Sequence, residues 1–288
     1  MTDLARDEMA RPIRHRPQWF LVCWAILLSS TLIASAALAE ELLGSLVMAG
    51  RGPERPVMEE LARAFERAHL GTVVDIKWNR NFRIGDLVTS NEVDIGVVGQ
   101  EEPDLVATTV AWDGLAVIVN FSNPIKEVTI QQVASLFSGT VRDWSNLDKR
   151  AGGPVHLVLR PDDQNMTDGF EQSLGIVGRS PKNAEHIRSN QQVLSRVSGK
   201  LDAVGYLSLK EAQDAVTYGM SVRALLIDGV EPGTPTVESG QYRLKRPVVL
   251  LMRKEATALA RAFVDFARSP AGQGILETMY VPLVQHPR

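Results

Sequence analysis

The chain has 288 residues, of which 44% are hydrophobic and 23% charged, with a net charge of −3 and one cysteine. A mildly acidic chain without a basic tract lacks the electrostatic footprint that nucleic-acid phosphates require, so no nucleic-acid partner is expected. A single cysteine excludes an internal disulfide framework.

Arg11, Arg14 and Arg16 precede an uncharged, mostly apolar run from Trp19 to Leu38, which closes on Ala37-Leu38-Ala39. This is the three-part pattern of a cleaved secretory signal peptide over residues 1–39. The run is also just long enough to span a bilayer, but Ser29, Ser30, Thr31 and Ser35 dilute it. Cleavage removes Cys23 together with four arginines and three acids, so the net charge moves from −3 to −4. The remaining length suits two lobes with ordinary cores.

In chain order, Leu46–Ala49 reads as a buried strand that ends at Gly50-Arg51-Gly52-Pro53. Pro56–His69 carries Val57, Met58, Leu61, Ala64, Phe65 and Ala68 at helical spacing, with proline in the first turn. Val73–Trp78 is the next strand, Ile84–Ser90 a short helix and Asp94–Val98 a third strand. Leu115–Asn120 is a further strand, and Thr129 caps a helix over Ile130–Phe137. Val155–Leu159 is a strand running into a turn-rich segment, after which Thr167 or Asp168 is placed to cap a helix starting near Gly169-Phe170. Ala256–Arg268 and Pro270–Met279 are helical. Strand–helix alternation of this kind predicts α/β architecture with a largely parallel sheet.

Several segments in order resemble the phosphate-binding protein family of ABC importers. They are Pro56–Leu61 with Ala64-Phe65, Val93–Gly96, Asp113–Asn120 with Asn123-Pro124, and Leu136–Gly139 with Asp143-Trp144. Ala203–Ser208, Arg246-Pro247, Phe263–Phe266, Ser269–Gln273 and Tyr280–Leu283 complete the series. The resemblance implies a type II, two-lobe periplasmic binding protein fold with two crossing hinge strands. Lobe one would comprise 43–118 and 222–288, and lobe two 119–221. It further implies a periplasmic, monomeric, non-enzymatic receptor that captures phosphate or a related oxyanion for an inner-membrane ABC permease. An alternative is a diverged domain that senses, interacts, or binds another small acid.

A dehydrated oxyanion needs dense donors: helix N-termini, hydroxyls and an arginine. The family resemblance places them on three loops, and this chain departs from it in each. The third loop, normally R-x-x-G-S-G-T, reads Arg160-Pro161-Asp162-Asp163-Gln164-Asn165-Met166-Thr167. In the first loop Glu54 stands where a hydroxyl is usual, which repels an anion unless Arg51 or Arg55 neutralises it. The second loop is Asn79–Arg83, and Gly99 replaces an acid present in some relatives. The expected ligand-binding residues are therefore Arg51, Arg80, Asn81, Arg160, Gln164, Asn165 and Thr167.

Other chemistry finds little support. His69, His156, His186 and His286 have no His or Cys partner at zinc spacing, so no metal is expected. His156 reads as a core histidine and Asp162-Asp163 as turn chemistry. Ser138 lacks the glycine pattern of a nucleophile elbow. No catalytic residue and no cofactor is expected. Trp78, Trp112 and Trp144 read as packing residues, Trp78 being the best placed to meet a ligand.

Overall fold

The computed structural model describes residues 42–160 and 164–283. The signal peptide read at 1–39 lies outside the described residues, as do Asp162-Asp163 and His286.

The first unit is β–α–β. β1 (Gly44–Gly50) pairs in parallel with β2 (Thr72–Trp78), and α1 (Arg55–Ala68) crosses between them. Val57, Met58, Leu61, Ala62 and Phe65 of α1 are buried, as three- and four-residue spacing on one helical face dictates. α2 (Ile84–Thr89) leads to the fully buried β3 (Ile95–Val98), which lies on the other side of β1.

β4 (Val106–Asn120) is a single 15-residue strand that carries the sheet from one half to the other. Its first part pairs with β11 (Lys245–Met252) and β12 (Val281–Pro282), and its last residues with β8 (Ala203–Ser208) and β9 (Val222–Ala224). Only Leu115–Asn120 is expected from the sequence. The first part is missed because Val106–Thr109 are only partly buried and Asp113 puts a charge inside the strand. Beyond β8 the sheet continues through β6 (His156–Leu159) to β7 (Glu185–His186), giving the order β2-β1-β3-β11-β4-β8-β6-β7. The two-residue strands β5 (Glu127–Val128) and β10 (Leu226–Ile227) pair separately.

Helices cover both halves: α3 (Ile130–Phe137), α4 (Gln164–Leu174), α5 (Asn190–Gly199), α6 (Leu209–Thr217), α7 (Thr234–Glu238), α8 (Ala258–Arg268) and α9 (Pro270–Leu276). Thr129 caps α3 with a capping box to Gln132, as the sequence predicts. α4 corrects the expected start: it begins at Gln164, so Thr167 and Asp168 lie inside the helix. Met166 and Phe170, four residues apart, are both buried and pull the first turn onto the core. One core gathers around Leu46, Met48, Phe65 and Phe263, and a larger one around Val117, Phe137, Phe170 and Tyr206.

Candidate functional site

Two of the expected loops meet. The loop after β1 runs from Arg51 to Glu54, and the chain after β6 enters α4. Arg51 Nε donates to Asn165 Oδ1 at 3.0 Å, and Arg51 Nη2 lies 3.4 Å from Asp168 Oδ2. Both loops follow the C-terminal ends of parallel strands, where open α/β sheets hold ligands. Asn165 is buried, and its amide Nδ2 donates to Glu54 Oε2 at 3.2 Å.

Glu54 is the centre of a buried ionic cluster. It stands at the N-cap of α1 without capping that helix. Its Oε1 instead accepts from Arg246 Nη1 at 2.6 Å, with both side chains fully buried. The expectation that Arg51 or Arg55 neutralises Glu54 is therefore corrected: Arg51 faces Asn165 and Asp168, and Arg55 pairs with Glu59 along α1 at 2.7 Å. Arg246 also donates through Nε and Nη2 to Asp113 Oδ2, at 3.0 and 2.8 Å. Ser208 Oγ is 2.7 Å from each Asp113 oxygen. Buried charges persist only when paired and hydrogen-bonded, and here one guanidinium serves two carboxylates. Burial pushes the Asp113 carboxyl above the usual aspartate range, against the pull of Arg246. Burial opposes the charge on Arg246, but Glu54 and Asp113 outweigh it and raise its pKa. The buried Tyr280 hydroxyl lies in the field of this cluster and has no hydrogen-bond partner among the described residues. Burial raises it well above the usual tyrosine range.

Arg160 follows β6, as expected, and its guanidinium donates to Asn190 Oδ1 at the start of α5. Asn190 Nδ2 donates to the Glu211 carboxylate on α6. Thr167 is not a helix-start donor. Its hydroxyl donates to the Arg160 carbonyl at 2.9 Å and sits 3.1 Å from the Tyr206 hydroxyl, whose ring stacks on Phe170 at 3.8 Å. The side chain of Gln164 lies outside the described part of the structure.

The second loop behaves differently. Asn79, Arg80 and Asn81 are exposed. Asn79 Oδ1 accepts from the Asn81 N–H at 3.0 Å, closing a local turn. Trp78, the aromatic expected nearest a ligand, turns beneath the first loop and donates its indole N–H to the Gly52 carbonyl at 2.9 Å. His156 is only half-buried, with Nε2 2.5 Å from Glu185, which corrects its reading as a core histidine. His156 opens β6 beside the edge strand β7, where the Glu185 carboxylate meets both this ring and Arg196.

Sequence reasoning missed Arg246, Asp113 and Ser208 as one unit. Each was seen only as a family motif. The available signal was physical: Arg246 opens the apolar run Val248–Met252, and Asp113 precedes Leu115–Val119. A lone charge beside a buried strand needs a partner of opposite sign.

Among the described residues, no group of three or more His, Cys, Asp or Glu is placed to hold a metal ion. No helix among them is long and apolar enough to cross a membrane.

Residues 35–271 match the sequence profile of the PBP superfamily domain. The chain belongs to the PBP superfamily. Among its relatives is the phosphate-binding protein PstS of Bacillus subtilis, 26% identical over 86% of this chain and 84% of the relative. The PstS of Pseudomonas aeruginosa is 23% identical over 83% of each chain. A Clostridium perfringens substrate-binding protein, assigned to a phosphate ABC transporter and solved with bound phosphate, superposes with a TM-score of 0.70 at 25% identity. That match covers 84% of this chain and all of the other. The ABC-type phosphate transport receptor of Vibrio cholerae shares the fold, with a TM-score of 0.73 at 22% identity over 82% of this chain.

Proposed function

We propose that this chain is an exported solute-binding receptor that delivers phosphate or a related oxyanion to an ABC importer, and is not an enzyme. One observation carries the reading: the loop after β1 and the start of α4 converge, bringing the N-termini of two long helices together with Arg51. Helix N-termini offer unpaired N–H groups and favour anions. Likeness over 84% of this chain to a substrate-binding protein solved with bound phosphate agrees with it. Arg160 would be the second guanidinium at the ligand. The lobes 43–118 with 222–288, and 119–221, would close about β4 and the segment near β9, on the periplasmic side of the membrane.

Thermal-shift screening of residues 40–288 against phosphate, phosphonates, sulfate, molybdate and small carboxylates tests the reading. A ligand at 100 times its Kd stabilises the fold by roughly 2.7 kcal/mol. Arg160→Ala should weaken that ligand by about 2–4 kcal/mol, measured by calorimetry. A ligand bound equally well by Arg160→Ala removes Arg160 from the site.

A second reading has its own observation. Asn165 is bonded to both Arg51 and Glu54, so donors of the cleft already serve one another. A sensing or interaction module would hold its two halves together in this way, and no oxyanion would then shift its melting.

A further inference from the structure

Away from the cleft, the outer edge of the sheet at β6 and β7 gathers cations from distant parts of the chain. A cavity of about 670 Å³ opens there between the loop after α3, the start of β6 and the chain before β7. Arg142, His156 and Lys182 line it, and no carboxylate does. Its walls are clamped together. Gly139 turns at φ 71°, and a Cβ there would stand 2.6 Å from Pro181 Cγ, so glycine alone lets the two loops close on each other. Arg142 Nε donates to the Gly139 carbonyl at 3.0 Å, which fixes the root of the guanidinium. Its outer nitrogens, and the exposed Lys182 ammonium, have no partner among the described residues. Next along β7, a second cavity of about 430 Å³ is lined by His186, Arg188 and Arg196 together with Glu185. Glu185 is the one acid lining either cavity, and His156 Nε2 and Arg196 Nη2 already hold it, at 2.5 Å each. Several exposed cations elsewhere sit beside an acid of their own: Arg63 with Glu60, Arg83 with Asp86 and Lys210 with Asp214. The sheet edge keeps positive charge unspent in a chain whose net charge is −3.

We propose that this edge binds a linear condensed phosphate, seated in the larger cavity by Arg142 and Lys182 and continued across β7 to Arg188 and Arg196. None of the residues placed at the cleft lines either cavity, so the site is a separate one. Like charges gathered in a concavity focus the field and raise the local concentration of an anion. Guanidinium and ammonium groups are the side chains that hold phosphate oxygens. Two adjoining basic cavities suit a chain of repeated charges, whereas a compact ion would satisfy only one of them. No Phe, Tyr or Trp lines either cavity, so the stacking platform of single-stranded nucleic acids is missing. A bilayer surface meets protruding cations and cannot follow these side chains into a cavity wall.

The test is calorimetric titration of residues 40–288 with medium-chain polyphosphate, in a fixed excess of inorganic phosphate that occupies the cleft. Arg142→Gln/Lys182→Gln should weaken polyphosphate about tenfold, because two phosphate contacts and their released counterions are lost. The slope of log affinity against log salt should fall by about two, one for each cation. The matched pair Arg63→Gln/Arg67→Gln, which removes the same charge from α1, should do neither. No weakening by the first pair, or equal weakening by both, overturns the site. Single-stranded DNA or anionic vesicles bound more tightly than polyphosphate, and lost in the same variant, would give the edge to that partner and overturn the condensed-phosphate assignment. If the double variant does not fold, Lys182→Gln alone, at an exposed position, should lower the salt slope by about one. An unchanged slope overturns the site in that case too. All of these outcomes leave the oxyanion-receptor reading standing, since its residues lie elsewhere.

Discussion

Two regions that read alike in the sequence are physically opposite in the structure. The segment Asn79–Arg83 is rich in amide and guanidinium donors, and so is the junction of the first loop, α4 and β11. In the second loop those groups are exposed; Asn79 closes its own turn, and Arg83 pairs with Asp86 at 84% and 65% side-chain exposure. At the junction, Glu54, Asp113, Asn165 and Arg246 are buried and bonded to one another. Donor-rich composition therefore does not mark a site. Burial converts the same residue types from weakly coupled charges into a network in which each group depends on the next.

The sharpest way to break this comparison is to remove the buried guanidinium. Arg246→Met fills similar volume but leaves two carboxylates buried and unpaired, so urea unfolding should show a loss of about 3–5 kcal/mol. Arg83→Met, at the exposed loop, should change stability by less than about 0.5 kcal/mol. Equal effects would mean that the cluster is not the structural centre described. Next in size is Ser208→Ala. It deletes a hydroxyl held 2.7 Å from both Asp113 oxygens and should cost about 2 kcal/mol, the range for a hydrogen bond to a charged group.

The fold was largely legible because period and punctuation set it locally. Val57, Met58, Leu61 and Phe65 declare the helix, and Thr129 with Gln132 declares the capping box. The site was legible only in part. Arg160 and Asn165 were expected, and Arg51 is seen to bridge to Asn165, but none of these positions revealed that Arg246 answers Glu54, 192 residues away. A pairing that distant leaves no local pattern. The same holds for the early start of α4: propensity in Gln164–Thr167 is neutral, and the burial of Met166 decides it. Loop composition leaves Asn79–Asn81 open between two roles, because amides serve turns and ligands equally well.

A smaller effect, of known sign, should appear in pH dependence. Burial raises the Asp113 carboxyl above its ordinary aspartate value. A group raised in the folded state contributes stability that is full below its unfolded pKa and lost as pH rises through the folded value. The wild type should therefore lose stability relative to Asp113→Asn as pH climbs from about 4 towards neutrality. Urea midpoints measured for both proteins across that range read the difference, and a gap that stays constant would mean that Asp113 titrates as an ordinary aspartate.

The smallest expected effect is at Asn81, and it sharpens the contrast because the sequence places this residue in the site. Its backbone N–H is held by Asn79, while its side chain is exposed on the loop. Asn81→Ala removes neither a buried partner nor a turn contact made by the side chain, so stability should stay within about 0.5 kcal/mol. Asn79→Ala should cost more, since Oδ1 of Asn79 is the acceptor that closes the turn. If cleft closure carries Asn81 onto a solute, Asn81→Ala would leave melting of the unliganded protein alone and weaken the solute. Unchanged affinity together with unchanged melting would place Asn81 in solvent in both states, and the second loop would then contribute only its backbone to the cleft.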